Sequence, residues 1–250
     1  MDPRFNNFNK ETFIMKMEKE LESEIEEFYS KNTYTESWRL LNCKKKNIRV
    51  NNGIIIVTLN PAFRKDVDYT NEVNFSSESG FAIQAENARS KVQPQIKKFL
   101  TEIHSKIHRV ISLDEFVNSV LVGYFIPFRS ASIKNLKNKN EAISFGKQLW
   151  SKIILQNIDS LQLLVCIDNT TTRSVLEILS ALGFVEKEKT PLPTGWGDYK
   201  SDIRRLNYNG KTITLLRLPH LGRFPIFGRK VAENQIEKIV KESIKYYKYK

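Results

Sequence analysis

Cysteine and histidine are scarce in this chain, and long apolar runs are missing. Two cysteines, Cys43 and Cys166, stand far apart in 250 residues, the second inside an apolar stretch. Two such thiols make no disulfide framework, so a reducing compartment is the expected setting. No run reaches eighteen consecutive apolar residues, and the opening MDPRFNNFNKE lacks the apolar centre of a signal peptide. A soluble, cytoplasmic protein with no membrane partner is the expectation. GWG and GRFPIFGR do not fit a Walker-type phosphate loop, and there is no Gly-x-Ser-x-Gly elbow. ATP-driven and serine-hydrolase chemistry therefore find no support. Two of the three histidines, His104 and His108, are four apart, but HSKIH has no intervening glutamate. No neighbouring Cys or carboxylate cluster completes a metal shell, so neither a metal nor a cofactor is expected.

What the chain does have is positive charge. Lys and Arg number 40 against 28 acids, a net charge of +12, with 11% aromatic residues. That excess favours a polyanionic partner, because neutralised phosphates release counterions, and the aromatic content suits contact with bases. The length and 40% hydrophobic content support a sizeable core. A single domain over residues 1–250 is expected, with 1–45 as an N-terminal helical extension and 230–250 as a basic C-terminal helix.

The spacing of Phe13, Ile14, Met17, Leu21, Ile25 and Phe28 predicts an amphipathic helix over 10–30. GIIIVTL follows as a buried strand. Residues 64–87 form a long polar stretch without periodicity, and such loops in compact domains are usually functional or disordered. A helix is predicted over 94–108, then a strand SVLVGYFIPF (119–128), a helix NEAISFGKQLWSKIILQNI and a strand LQLLVCIDN (161–169). TTTRSVLEILSALGF resumes helical spacing and closes at Gly183. DIRRLNYNGKTITLLRL is a hairpin turning at Asn209-Gly210, and a last basic helix starts near Lys230. Nearly all-apolar strands alternating with helices predict an α/β fold. The expected form is a three-layer α/β/α sandwich around a central, mainly parallel four-stranded sheet.

Ligands of such sheets bind beyond the carboxyl ends of the strands. Four predicted strand exits carry Asn60-Pro61, Phe128-Arg129, Asp168-Asn169 and Pro219-His220. Asn60 is either a turn residue or a group at the mouth of a site. His220 is a loop histidine or a donor to a developing anion. Asp168 is a helix cap before three threonines, or a carboxylate that supports a cationic transition state.

These exits resemble the uracil-DNA glycosylase superfamily. VTLNPAF is similar to the first motif of its mismatch-specific branch, Gly-x-Asn-Pro-Gly after a strand; Asn60 and Pro61 match and both glycines do not. SGFAIQAENARSK resembles the downstream segment of that branch, and GYFIPFRS its second strand and base-facing loop. LPHLGRF resembles the His-Pro-Ser motif closing the fourth strand, with His220 matching and Leu221-Gly222 departing. The resemblance covers roughly residues 50–230 through short, degenerate motifs. It implies a monofunctional DNA N-glycosylase that flips a nucleotide out of the duplex and hydrolyses its glycosidic bond.

On this resemblance Asn60 would hold the attacking water and His220 would donate to the departing base, with Asp168 in reserve. Pro61, Ala62, Phe63, Phe81, Phe128, Arg129 and Asn169 would surround the base, with Phe81 stacked on it. Arg173, Arg223, Arg229 and Lys230 would hold the DNA. In uracil-specific members a bulky aromatic often follows the Asp-Pro or Asn-Pro step and blocks C5 substituents; here Ala62 follows. That implies a damaged or C5-modified pyrimidine, with hypermodified, glucosylated cytosine of phage DNA as one instance and antiviral defence as its setting. DNA is the expected partner and a monomer the expected state. The competing reading is a non-catalytic nucleic-acid-binding protein on the same fold, and a weaker one is a nucleotide or nucleoside hydrolase acting on small molecules.

Overall fold

The structure, a computed structural model, describes residues 17, 19–48, 51–63, 90–107 and 111–248. Its centre is three short strands with no exposed residue: β1 (Ile54–Thr58), β2 (Leu121–Tyr124) and β3 (Leu163–Ile167). Strands apolar on both faces are stable only when both faces are covered, and that demand makes them parallel and joined by helices. Longer strands follow in β4 (Val185–Trp196), β5 (Tyr199–Tyr208) and β6 (Lys211–Leu218). All six form one sheet in the order β2-β1-β3-β6-β5-β4. The pairs β1–β2, β1–β3 and β3–β6 are parallel, whereas β5 pairs antiparallel with β6 and with β4.

The expected four-stranded sheet is therefore corrected to a six-stranded mixed one. β5 and β6 are the predicted hairpin, and Asn209 and Gly210 both take positive φ, 47° and 78°, as a type I′ turn requires. β4 escaped notice because VEKEKTPLPTGW alternates charges and carries Pro191 and Pro193. Those residues suit an edge strand, where missing donors cost nothing and charge deters pairing with another chain.

Helix α1 covers 19–31, one residue past the predicted end, and the earlier part of that prediction lies largely outside the described residues. Leu21 and Ile25 are buried, and Phe28 stacks on Phe145 at 4.2 Å. Bridges Trp38–Phe128 and Leu41–Gly123 tie the following segment to β2. Leu21, Ile25, Trp38, Leu40, Leu41 and Cys43 thus belong to the hydrophobic core.

Helices α2 (Gln93–Lys106), α4 (Lys139–Gln156) and α5 (Asn169–Ala181) lie where periodicity predicts them, within a few residues. A short α3 (Leu113–Asn118) begins at Ser112 with a reciprocal cap to Glu115. The C-terminal helix α6 (Glu233–Ile244) starts three residues later than predicted, behind a 3-10 turn at Lys230–Ala232. α4 packs on α5, and α2 on α6. Gly146 lets α4 approach the sheet closely, since a Cβ there would stand 2.6 Å from the Phe125 carbonyl oxygen.

From β1 the chain crosses to β2 on one side, and from β2 it returns past β1 to β3 on the other. The reversal lies between β1 and β3. In open α/β sheets that switch point opens a crevice at the carboxyl ends of the strands. Among the described residues no helix is long and apolar enough to cross a membrane.

Candidate active site

Thr58 ends β1, and the next residues do not turn away from the sheet. Phe125 and Ile126 donate their backbone N–H to Thr58 and Leu59 carbonyls at 2.6 and 2.8 Å. Further on, Ser130 N–H reaches Pro61 O at 3.2 Å and Phe63 N–H reaches Ser130 O at 3.1 Å. The segments after β1 and β2 therefore run together as an irregular extension, which is why β2 is shorter than the predicted 119–128. Asn60 sits half-buried in that extension.

The Asn60 amide nitrogen donates to Ser130 Oγ at 2.8 Å, to Pro61 O at 3.2 Å and to Phe128 O at 3.4 Å. Ser130 Oγ in turn donates to Ser132 O at 2.9 Å. Three acceptors on the nitrogen fix which way round the amide stands, and its oxygen is directed away from them. Arg129 braces the same extension from within. It is nearly buried and donates through Nε to Ser37 Oγ at 2.8 Å and through Nη1 to Ala62 O at 3.0 Å.

The exit of β3 is shaped by Asp168, at φ 86° and ψ 167°, a backbone conformation that glycine tolerates and aspartate does not. Its carboxylate caps α5, with Oδ1 accepting from Thr171 N at 2.9 Å and Oδ2 from Thr171 Oγ1 at 3.0 Å. The cap reading of Asp168 thus holds. Burial, the largest influence, raises the carboxyl above its ordinary 3.8, opposed by these hydrogen bonds and by the charge of His220.

His220 follows Leu218, the last residue of β6, which lies beside Ile167 in the sheet. Asp168 N–H also bonds Leu218 O at 2.9 Å. The His220 carbonyl then accepts from Arg223 and Phe224 N–H at 2.9 and 3.0 Å, turning the chain tightly so that Pro219 and Leu221 are buried and His220 is exposed. Its imidazole lies over Gly222: a Cβ there would be 3.0 Å from His220 Cε1 and 3.3 Å from Val92 Cγ2. Val92 directly precedes α2. The two motifs therefore leave the same end of the sheet, Asn60 after β1 and His220 after β6, with Asp168 after the intervening β3.

The remaining expected residues fall into distinct places. Pro61 is buried, Ala62 exposed and Phe63 half-buried, all in the Asn60 extension. Phe128 is fully buried, with its ring in a stack with Tyr34 at 4.3 Å and Phe28 at 5.5 Å. It meets the site through its carbonyl, so the ring forms no wall for a base. Arg129 is likewise a brace within the protein. Asn169 and Arg173 are exposed at the start of α5, and Arg223 and Lys230 are exposed beyond β6. Arg229 lies 4.2 Å over the Trp196 ring and donates to Gly195 O at 3.0 Å, which makes it a tether as well as a charge. Phe81, the loop 64–87 and His108 lie outside the described residues.

Two partners escaped the sequence reading. Ser130, which orients Asn60, was visible only as the hydroxyl closing GYFIPFRS, and nothing in the sequence tied it to Asn60. Gly222, over which His220 folds, stood where the resemblance expects Ser. Among the described residues no cluster of three His, Cys, Asp or Glu could hold a metal. Cys43 and Cys166 are buried and unpaired, and burial pushes Cys43 up to about 12 and Cys166 well above its ordinary value. Neither thiol is poised as a nucleophile. No protein-family model matches the chain, and no curated protein or solved structure does either.

Proposed function

We propose that this protein is a DNA glycosylase that excises a damaged or C5-modified pyrimidine and leaves an abasic site. One observation carries the reading: an oriented amide after β1, a carboxylate after β3 and an exposed imidazole after β6, remote in sequence, follow adjacent parallel strands at one end of the sheet. The α2–α6 and α4–α5 pairs serve as outer layers of a three-layer α/β/α sandwich that presents this edge to DNA. A net charge of +12 supports the partner.

In the reaction the nucleotide leaves the duplex and its sugar reaches Asn60. The amide oxygen holds a water against the anomeric carbon, while Ser130 keeps the nitrogen turned inward. Asn60 is no base, so the water adds as the C–N bond breaks and the sugar gains cationic character, and the proton it then sheds passes through solvent to the released base anion. The electron pair of that bond goes to the base, and a His220 N–H donates to the base oxygen on which the charge collects. Asp168 keeps its cap and supplies negative charge between the two. Ala62, small and exposed, leaves room for a substituent at C5.

The test is incubation of the protein with oligonucleotides bearing uracil, a thymine mismatch, hydroxymethylcytosine or its glucosylated form, followed by alkali. Strand cleavage at the target supports the reading, and intact strands in every case end it. The second reading, a non-catalytic nucleic-acid-binding protein of the cytoplasm, draws on the aromatic and basic residues around Tyr199 and Arg223, which ask nothing of Asn60.

A further inference from the structure

The β4–β5 hairpin is an addition to the parallel unit, and its tip reaches the same edge as the candidate site. β5 pairs Asp202 with Arg217 and Ile203 with Leu216. Followed outward, that register carries the start of β5, Tyr199, to the end of the sheet at which the chain leaves β6 for His220. Tyr199 is 51% exposed. Its ring centroid is 4.0 Å from that of Phe224, whose N–H is bound to the His220 carbonyl.

The support behind Tyr199 is fixed. Trp196 meets Phe224 edge-on at 6.2 Å, donates its indole N–H to Pro225 O at 2.7 Å, and carries the Arg229 guanidinium on its face. Buried Thr194 donates its hydroxyl to Tyr199 O at 2.7 Å. Lys200 and Arg223 are exposed on either side, and Asp198 is the one acid in the turn.

We propose that Tyr199, backed by Phe224 and Trp196, is a stacking shelf for an unpaired base of the DNA strand next to the nucleotide delivered to Asn60 and His220. A base offers a π face to the ring, and its phosphates fall to Lys200 and Arg223. The placement next to the target rests on the glycosylase reading; the shelf itself does not.

The experiment measures binding of a fluorescein-labelled single-stranded 25-mer by anisotropy at several salt concentrations. The proteins are wild type, Tyr199→Ala, Tyr199→Trp, and Tyr246→Ala. Tyr246 is 44% exposed and lies at the opposite edge, where its neighbour Tyr247 bonds Asn52 O ahead of β1. Tyr199→Ala weakens binding about tenfold without changing the salt slope, because a stack and not an ion pair is lost. Tyr199→Trp and Tyr246→Ala bind as wild type does. Wild-type affinity in Tyr199→Ala, or no DNA binding by wild type, overturns the shelf. A tenfold loss in Tyr199→Ala from a wild type that releases no base keeps the shelf and sinks only the glycosylase reading.

Discussion

Ser130 Oγ accepts a hydrogen bond from Asn60 Nδ2 at 2.8 Å and donates its own to the Ser132 carbonyl at 2.9 Å. The one hydroxyl proton is committed to Ser132, so toward Asn60 the oxygen acts as an acceptor and favours one orientation of the amide. Ser130→Ala removes that restraint from a buried position. Base release falls about tenfold, the weight of one hydrogen bond, and falls in kcat with DNA affinity unchanged. Ser130→Thr, which keeps the hydroxyl, restores most of it. Equal rates in the alanine variant would show that Asn60 needs no such orientation.

Gly222 tests the other motif. A methyl group at this position would stand 3.0 Å from His220 Cε1, and His220 is exposed and able to swing outward. Gly222→Ala therefore displaces the imidazole at little cost to the core. Base release drops at least about tenfold while the melting temperature changes by about 2 °C or less. A large loss of stability with activity preserved would contradict the placement of the ring.

Asp168 links the site to pH. Burial raises its carboxyl above 3.8, so the folded protein holds this proton more tightly than the unfolded chain does. The stability this contributes is complete below the unfolded value and is lost as pH rises through the folded one. Asp168→Asn keeps an amide oxygen for the Thr171 N–H and carries no titrating group. The melting temperature of the variant relative to wild type therefore rises between pH 3.5 and pH 7. Because the charge of His220 favours the ionised carboxyl, His220→Ala moves the Asp168 titration further up, readable from its carboxyl carbon shift by NMR.

Gly146 is a control for the fold alone. Its Cβ position is 2.6 Å from the Phe125 carbonyl oxygen, backbone that cannot yield without moving α4. Gly146→Ala costs about 2 kcal/mol in urea unfolding, the usual scale of overpacking, and leaves the catalytic constant of the remaining folded protein unchanged.

Most of the parallel unit was legible in the sequence, and the reason is burial. Strands such as IIIVT and LLVCI have both faces covered, so their apolar runs and helix-spaced connections carry an unambiguous period. Asn60, Asp168 and His220 could be placed on one edge because they follow strands of a common direction. β4 was not legible, since an exposed edge strand hides its period behind charge and proline. The role of Phe128 was misread for a related reason: an aromatic at a strand exit suits a pocket or a core equally. Only the three-dimensional stack with Phe28, Tyr34 and Phe145 decides for the core. The bond from Asn60 to Ser130 spans seventy residues and left no local trace.

The most direct measurement compares wild type with Asn60→Ala on duplexes carrying uracil, mismatched thymine, hydroxymethylcytosine and glucosylated hydroxymethylcytosine, reading alkali-sensitive strand breaks and DNA affinity together. The account predicts breaks at one or more of the modified pyrimidines with wild type, at least a hundredfold fewer, as an order of magnitude, with Asn60→Ala, and equal binding by both. Breaks that persist undiminished in Asn60→Ala, or their complete absence with wild type, would contradict it.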